Sequence, residues 1–241
     1  MTKKQPAFTK HDIYFDSEAH KMYVAVDCVI FGFDGESLNL LLMKRLLEPF
    51  AGEWSLIGSF VHLDESITQA AKRILKERTG LDEIFLEQSK IYGSAQRDPG
   101  FRCVSSALYA LIRSDKFHRV VDFEEFGTQW FNINDLPPLV LDHEIMVADA
   151  LDAISIKAKY QPFGFELLPV KFTIPQLQKL YEALFQKKLD ARNFRKKILS
   201  LNILKQLDEK DKTSSRKGAW LYKFDFLKYK KLVDSGYSLE I

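Results

Sequence analysis

Hydrophobic and polar positions change their rhythm several times along the chain, and each change marks an element. Tyr23 to Phe33, YVAVDCVIFGF, is dense in β-branched and aromatic side chains and predicts a strand. Leu38 to Lys44, after the turn FDGES, reads as its hairpin partner, and GEWSLIGSFV (52–61) as another strand between turn residues. From Asp64 to Thr79, Ile67, Ala70, Ala71, Ile74 and Leu75 recur on one helical face. Asp64 or Ser66 can accept the free N–H groups at the start of that helix, and Gly80 is placed to stop it. Segments 85–95, 101–113 and 127–132 read as strands, and 143–159 as a second helix carrying Ile145, Met146, Ala148, Leu151 and Ile154. Residues 21–160 thus mix antiparallel-looking strands with two helices, an α/β (α+β) sandwich behind a loose polar arm, 1–20.

The pattern changes after a connector, YQPFGFE (160–166), and residues 161–241 predict a second unit. Thr173 and Pro175 start a helix in which Leu177, Leu180, Tyr181 and Leu184 share a face. Lys187 to Leu189 make a short turn, and Asp190 caps a second helix with Phe194, Ile198 and Leu201 inward. Ile203–Leu207 and Ala219–Phe224 read as two strands joined by the polar turn DEKDKTSSRKG. Helix, turn, helix and hairpin, in that order, describe a winged helix-turn-helix.

Charge sharpens this division. The 241 residues carry a formal net charge of only +2, but residues 166–241 hold 17 Lys and Arg against 9 Asp and Glu, and residues 1–165 hold 18 against 24. A basic unit behind an acidic one points to different partners. With its apolar face turned inward, the 190–201 helix presents Arg192, Asn193, Arg195, Lys196 and Lys197, and Arg and Asn suit guanine and adenine edges in a major groove. The hairpin tip offers Lys210, Lys212, Ser214, Ser215, Arg216 and Lys217 for phosphates or a minor groove. The alternative for each feature is a solvated charged surface. The 46% hydrophobic content excludes wholesale disorder, and no uninterrupted apolar run has a membrane helix's length. No secretory segment is visible at the N-terminus. The two cysteines, Cys28 and Cys103, are far apart, which excludes a disulfide scaffold and fits a reducing cytosol.

The stretch GEWSLIGSFVHLDESITQAAKRILKERTGL resembles a Nudix box, G-x5-E-x7-R-E-U-x-E-E-x-G-U with U apolar. Registered on Gly80 and Leu81, the first glycine falls on Ser59, the first glutamate on Glu65, the arginine on Arg73 and one later glutamate on Glu77; the other two glutamates fall on Ile74 and Arg78. In Nudix hydrolases such carboxylates hold Mg²⁺ against a diphosphate and orient the attacking water. Ile74 has no oxygen and Arg78 brings a positive charge, so the resemblance implies that ordinary hydrolysis is lost. Glu65, Arg73 and Glu77 then brace the loop–helix–loop. The carboxylates Glu65, Glu87 and Asp98 are the candidates for rebuilding a site.

A Nudix-like α/β/α sandwich followed by a winged helix is similar to the Nudix-related transcriptional regulators of the NrtR and AraR type. LLPVKFTIPQLQKLYEALFQKKLDARNFRKKIL (167–199) is the most specific supporting stretch, and QRDPGFRCVSSALYAL (96–111) and WFNINDLPPLVLDHEIMVADAL (130–151) add to it. That resemblance implies a non-catalytic sensor of ADP-ribose or a pentose such as L-arabinose or D-xylose. It also implies a homodimer, a roughly palindromic double-stranded operator and an effector that alters DNA binding, with no cofactor or metal. Asp27, in the apolar run VAVDCVIF, needs a partner, and a sugar hydroxyl, Arg45 or a backbone N–H could supply one. Arg97 and Asp98 are similar effector-binding candidates. His62 and His143 stand alone, which favours structural or surface roles over metal binding. The rival function is an Mg²⁺-dependent hydrolase of a nucleoside-diphosphate derivative; a third is an adaptor with no small ligand.

Overall fold

A computed structural model describes residues 21–46, 48–116, 127–213 and 217–235. The arm expected over 1–20, and Ser214, Ser215 and Arg216 of the hairpin tip, lie outside the described residues. The first unit is built from β1 (Tyr23–Phe33), β2 (Leu38–Lys44), β3 (Trp54–Ser55), β4 (Ile57–Phe60), α1 (Ile67–Thr79), β5 (Glu87–Tyr92), β6 (Cys103–Arg113), β7 (Thr128–Asn132) and α2 (His143–Tyr160). The seven strands form one sheet in the order β3-β2-β1-β6-β5, with β4 also paired to β1 and β7 to β2.

The central pair, β1 and β6, is parallel over eleven residues, from Tyr23↔Cys103 to Phe33↔Arg113, whereas every other pair in the sheet is antiparallel. The antiparallel reading of the sequence is corrected here. The chain between β1 and β6 includes α1, and a crossover of that length is what parallel pairing needs. Side chains of β1 alternate between the two faces. Val26, Cys28 and Ile30 pack with Ala70, Ala71, Ile74 and Leu75 of α1. Val29, Phe31 and Phe33 pack with Met146, Ala150 and Ile154 of α2. Nine successive residues, Ala25 to Phe33, are buried, as expected for a strand covered on both faces.

Helix α1 starts two residues later than the first of the two expected caps would place it. Ser66 is the N-cap and forms a capping box with Gln69, and Gly80 takes the left-handed conformation (φ 70°) that ends the helix. The buried face of α2 differs from the sequence expectation. Ile145 is 59% exposed and Ala148 also faces out, whereas His143, Met146, Val147, Ala150, Ile154 and Ala158 are buried. The N-terminus of α2 is anchored through His143, which is buried on the same face as Met146, Val147 and Ala150.

The second unit contains β8 (Phe172–Thr173), α3 (Ile174–Phe185), α4 (Ala191–Ser200), β9 (Leu204–Asp211), β10 (Ala219–Phe224) and α5 (Phe226–Asp234). Thr173 and Gln176 form a capping box on α3, and Asp190 accepts the Asn193 N–H at 2.8 Å to start α4. Leu177, Leu180, Tyr181, Leu184, Phe194, Ile198 and Leu201 are buried as the helical spacing predicts. β9 runs four residues beyond the expected Leu207, because Lys210 and Asp211 pair with Trp220 and Ala219 of β10. The sequence reading did not include β8 or α5, and none of the α5 residues is buried.

One apolar cluster joins the units. It runs from Val29 and Phe31 through Met146 and Ile154 to Phe165, Leu177, Tyr181, Phe194 and Tyr222. An ion pair between Lys179 of α3 and Glu36, in the turn after β1, adds a polar contact at its edge.

Gly58 of β4 sits opposite Asp27 in the register. A Cβ at this glycine would stand 2.1 Å from Asp27 Oδ1 and 2.9 Å from the Val26 carbonyl oxygen. Gly58→Ala is therefore expected to cost about 1–3 kcal/mol and lower the thermal midpoint by about 2–12 °C. Differential scanning calorimetry checks this, and an unchanged midpoint would show that Asp27 is free to move aside.

Candidate functional site

The site is built around a carboxylate in the sheet. Asp27 lies on the α2 side of β1 and is only 6% exposed. The Ser105 hydroxyl, on β6, donates to Asp27 Oδ2 at 2.6 Å. Arg97, in the loop before β6, places Nη2 3.4 Å from the same oxygen. The partner suggested from sequence, Arg45, is not among these contacts; its Nε donates to the Pro49 carbonyl at 3.2 Å. Arg97 replaces it because the turn before β6 carries its guanidinium under the sheet.

Arg97 is itself buried, and Asp142, the residue before α2, holds it with two bonds: Nε to Oδ2 at 3.0 Å and Nη2 to Oδ1 at 2.8 Å. Burial works against the guanidinium charge, but the bonds from Asp142 and the nearby Asp27 outweigh it and hold the group above its ordinary range. His143, at the first position of α2, accepts the Leu56 N–H on Nδ1 at 3.1 Å. Burial keeps its imidazole below the ordinary range against the pull of Asp27, so it is neutral near pH 7. Its Nε2 then carries the proton and faces Asp27 Oδ1 at 3.6 Å. His143 is structural, as expected of a lone histidine, yet it also lines the site, which its sequence context did not suggest.

These groups wall a cavity of about 450 Å³. Asp27, Arg45, Arg97 and Asp98, the four effector-binding candidates, all line it, although they come from three separate segments. Ser59 and Arg78 of the box line it too, with Met43, Leu46, Leu56, Phe60 and Leu141 as apolar wall. Asp98 caps its own turn, accepting the Gly100 N–H at 2.8 Å.

The remaining box residues face elsewhere. Ile74 is fully buried in the core under α1. Arg73 donates to Glu65 through Nε (2.9 Å) and Nη2, to Glu77 through Nη1 (3.2 Å), and to the Phe60 carbonyl (3.2 Å). Arg73 pulls the Glu65 carboxyl down to about 2, and the His62 N–H bond adds to this. Glu65, Arg73 and Glu77 thus tie the start of α1 to its third turn and to the end of β4. Of the carboxylates that might have rebuilt a metal site, Glu87, on β5, is taken by Lys157 of α2 and Tyr109 of β6. Among the described residues, no three His, Cys, Asp or Glu side chains gather where one metal ion could sit.

In the second unit, Arg192, Asn193, Arg195 and Lys196 are exposed on α4, and Lys197 is half-buried. Lys212 and Lys217 are exposed beside the hairpin tip, and Lys210 lies over the Trp220 ring, 4.3 Å from its centroid. Trp220 is itself exposed on β10, a surface aromatic that the strand pattern alone did not single out.

Comparison with known proteins agrees with this two-part architecture. A model of the NUDIX domain matches residues 21–150, and a model of the NrtR DNA-binding winged helix domain matches residues 164–224. The ADPR responsive transcriptional repressor NtrR of Acinetobacter baylyi is 30% identical over 220 residues, covering 90% of this chain and 87% of that protein. The structure of Shewanella oneidensis NrtR complexed with a 27mer DNA superposes with a TM-score of 0.71 at 27% identity, covering 90% of this chain and 97% of that one. The NUDIX domain of the same Shewanella protein, complexed with ADP ribose, matches at a TM-score of 0.51 and 28% identity, covering 61% of this chain and 99% of that one. With a Nudix sandwich and a winged helix packed on the same core, this chain belongs to the Nudix-related transcriptional regulators of the NrtR type.

Proposed function

We propose that this chain is a DNA-binding transcriptional repressor whose Nudix domain senses ADP-ribose or a close relative and does not hydrolyse it. The observation that carries the reading is the cavity around Asp27. It combines an apolar wall with the cations Arg45, Arg78 and Arg97 and the acids Asp27 and Asp98. Its volume, about 450 Å³, suits a ligand of nucleotide size. A diphosphate gives the cations something to neutralise, and ribose hydroxyls suit the acids. A free pentose is neutral and would leave Arg45 and Arg78 facing no charge, so the pentose reading is the weaker one. The ADP-ribose named in the Acinetobacter and Shewanella relatives supports the same choice.

The DNA side rests on α4, which presents Arg192, Asn193, Arg195 and Lys196 on its exposed face, with Lys212, Lys217 and the neighbouring tip residues beside it. Two copies of the chain would place two such helices on successive major grooves of a roughly palindromic operator, about 34–36 Å apart. We assign 21–160 to sensing and 161–241 to DNA reading. ADP-ribose binding would favour an arrangement of the pair that no longer fits the operator.

On DNA from upstream of its own gene, fluorescence anisotropy is expected to show tight binding by two chains. The logarithm of affinity should fall with that of salt, with a slope of about −0.9 per phosphate neutralised. Arg195→Ala should cost about 1–3 kcal/mol and relax preference at one base position. A flat salt response would remove the DNA-binding reading. ADP-ribose should raise the thermal midpoint and release the DNA, while L-arabinose and D-xylose should do neither. With Mg²⁺ present, ADP-ribose should remain uncut; steady release of a nucleoside monophosphate, abolished by Glu77→Gln, would instead favour the hydrolase.

A further inference from the structure

In hydrolases of this fold a divalent ion lies between the box carboxylates and the diphosphate. The residues of this chain do not fit such an ion. Hard cations need several oxygen ligands. Ile74 offers none and is sealed in the core under α1. Glu65 is bonded by Arg73, and Glu77 is an exposed side chain that shares the same arginine. Arg78, at the remaining glutamate position, is a half-buried cation on the cavity wall.

We infer that Arg78, with Arg45, holds the effector's diphosphate directly, a guanidinium standing where the hydrolases of this fold place their metal ion. The inference rests on the ADP-ribose reading of the cavity. Its second support is the distribution of partners. Arg97 is committed to Asp142 and Asp27. Arg45 spends only Nε, on the Pro49 carbonyl. Arg78 has no ion pair or side-chain hydrogen bond among the described residues. Two guanidinium groups with donors to spare, both lining the cavity, match the two negative charges of a diphosphate. Each can bond phosphate oxygens in a paired, in-plane geometry.

The exchange also separates binding from chemistry. A guanidinium neutralises phosphate charge as a metal ion does, but it cannot lower the pKa of a bound water to make hydroxide at neutral pH. Arg78 would thus keep the ligand's affinity while removing the attacking group. Its position in the last turn of α1 also suits the helix dipole, which is the competing explanation for a cation there.

The test is calorimetric titration of the full chain with ADP-ribose, in EDTA and in Mg²⁺. Wild-type affinity should be the same in both. Arg78→Gln should weaken binding on the order of tenfold to a hundredfold, with the thermal midpoint of the ligand-free protein nearly unchanged, and Arg78→Lys should recover part of the loss. Arg78→Glu should bind poorly in EDTA and regain affinity when Mg²⁺ is supplied. Arg45→Gln, away from α1, should weaken binding similarly, and it decides the matter should the Arg78 variants fail to fold. Wild-type binding that vanishes in EDTA, or arginine variants that bind as wild type, would overturn the inference while leaving ADP-ribose as effector. Wild-type protein that binds ADP-ribose in neither buffer would overturn the effector reading itself.

Discussion

A carboxylate at the centre of a sheet, with little of its surface left to solvent, must find most of its donors inside the protein. Asp27 meets this requirement by drawing on four segments. Ser105 bonds it from β6 and Arg97 reaches it from the loop before that strand. His143 faces it from the start of α2, and β4 passes close beside it only because Gly58 has no side chain. Arg97 then carries the requirement onward to Asp142. Removing either partner would strand a buried charge, so the parallel pair, β4 and the first turn of α2 are fixed relative to one another by one acid. The cavity lies where those segments converge, and Asp27 lines it together with two of its partners, Arg97 and His143.

This arrangement gives α2 two ends of different character. Its first residue, His143, lines the cavity, and Asp142 just before it holds the cavity's Arg97. Its later residues, Ala150, Ile154 and Ala158, lie in the apolar cluster that continues into α3, α4 and β10. Eighteen residues make a rod about 27 Å long. A ligand in the cavity lies beside Arg97 and His143 and so bears on the start of that rod. Packed cores have discrete arrangements rather than a continuous range, so a small shift at one end is passed on as a repacking at the other. In the proposed function this is the route from the effector to α4.

Much of the fold was legible in the sequence because it is written locally. The nine buried residues of β1, the capping serine and terminal glycine of α1, and the inward stripes of α3 and α4 each follow from spacing within a few residues. The polar outlier Asp27 was also legible, as was its need for a partner. The partner was not, because Arg97 lies seventy positions along the chain and its approach depends on a parallel crossover that local alternation cannot register. For the same reason His143 read as an isolated histidine. α2 was assigned the wrong face at Ile145 and Ala148, since its apolar residues are spread round the helix and its buried face also takes in the polar His143. α5 buries none of its residues and left little pattern to find.

The central claim is that the cavity and α4 are two ends of one equilibrium. Coupling between binding sites is reciprocal, so the factor by which ADP-ribose weakens operator binding must equal the factor by which operator weakens ADP-ribose binding. The direct measurement is the dissociation constant of ADP-ribose for the free protein and for the protein saturated with operator DNA. The coupling described here predicts weaker binding to the DNA-bound form, by the same factor that the ligand imposes on DNA affinity. Equal ADP-ribose affinity in the two states would contradict it and leave the two units as independent binding modules.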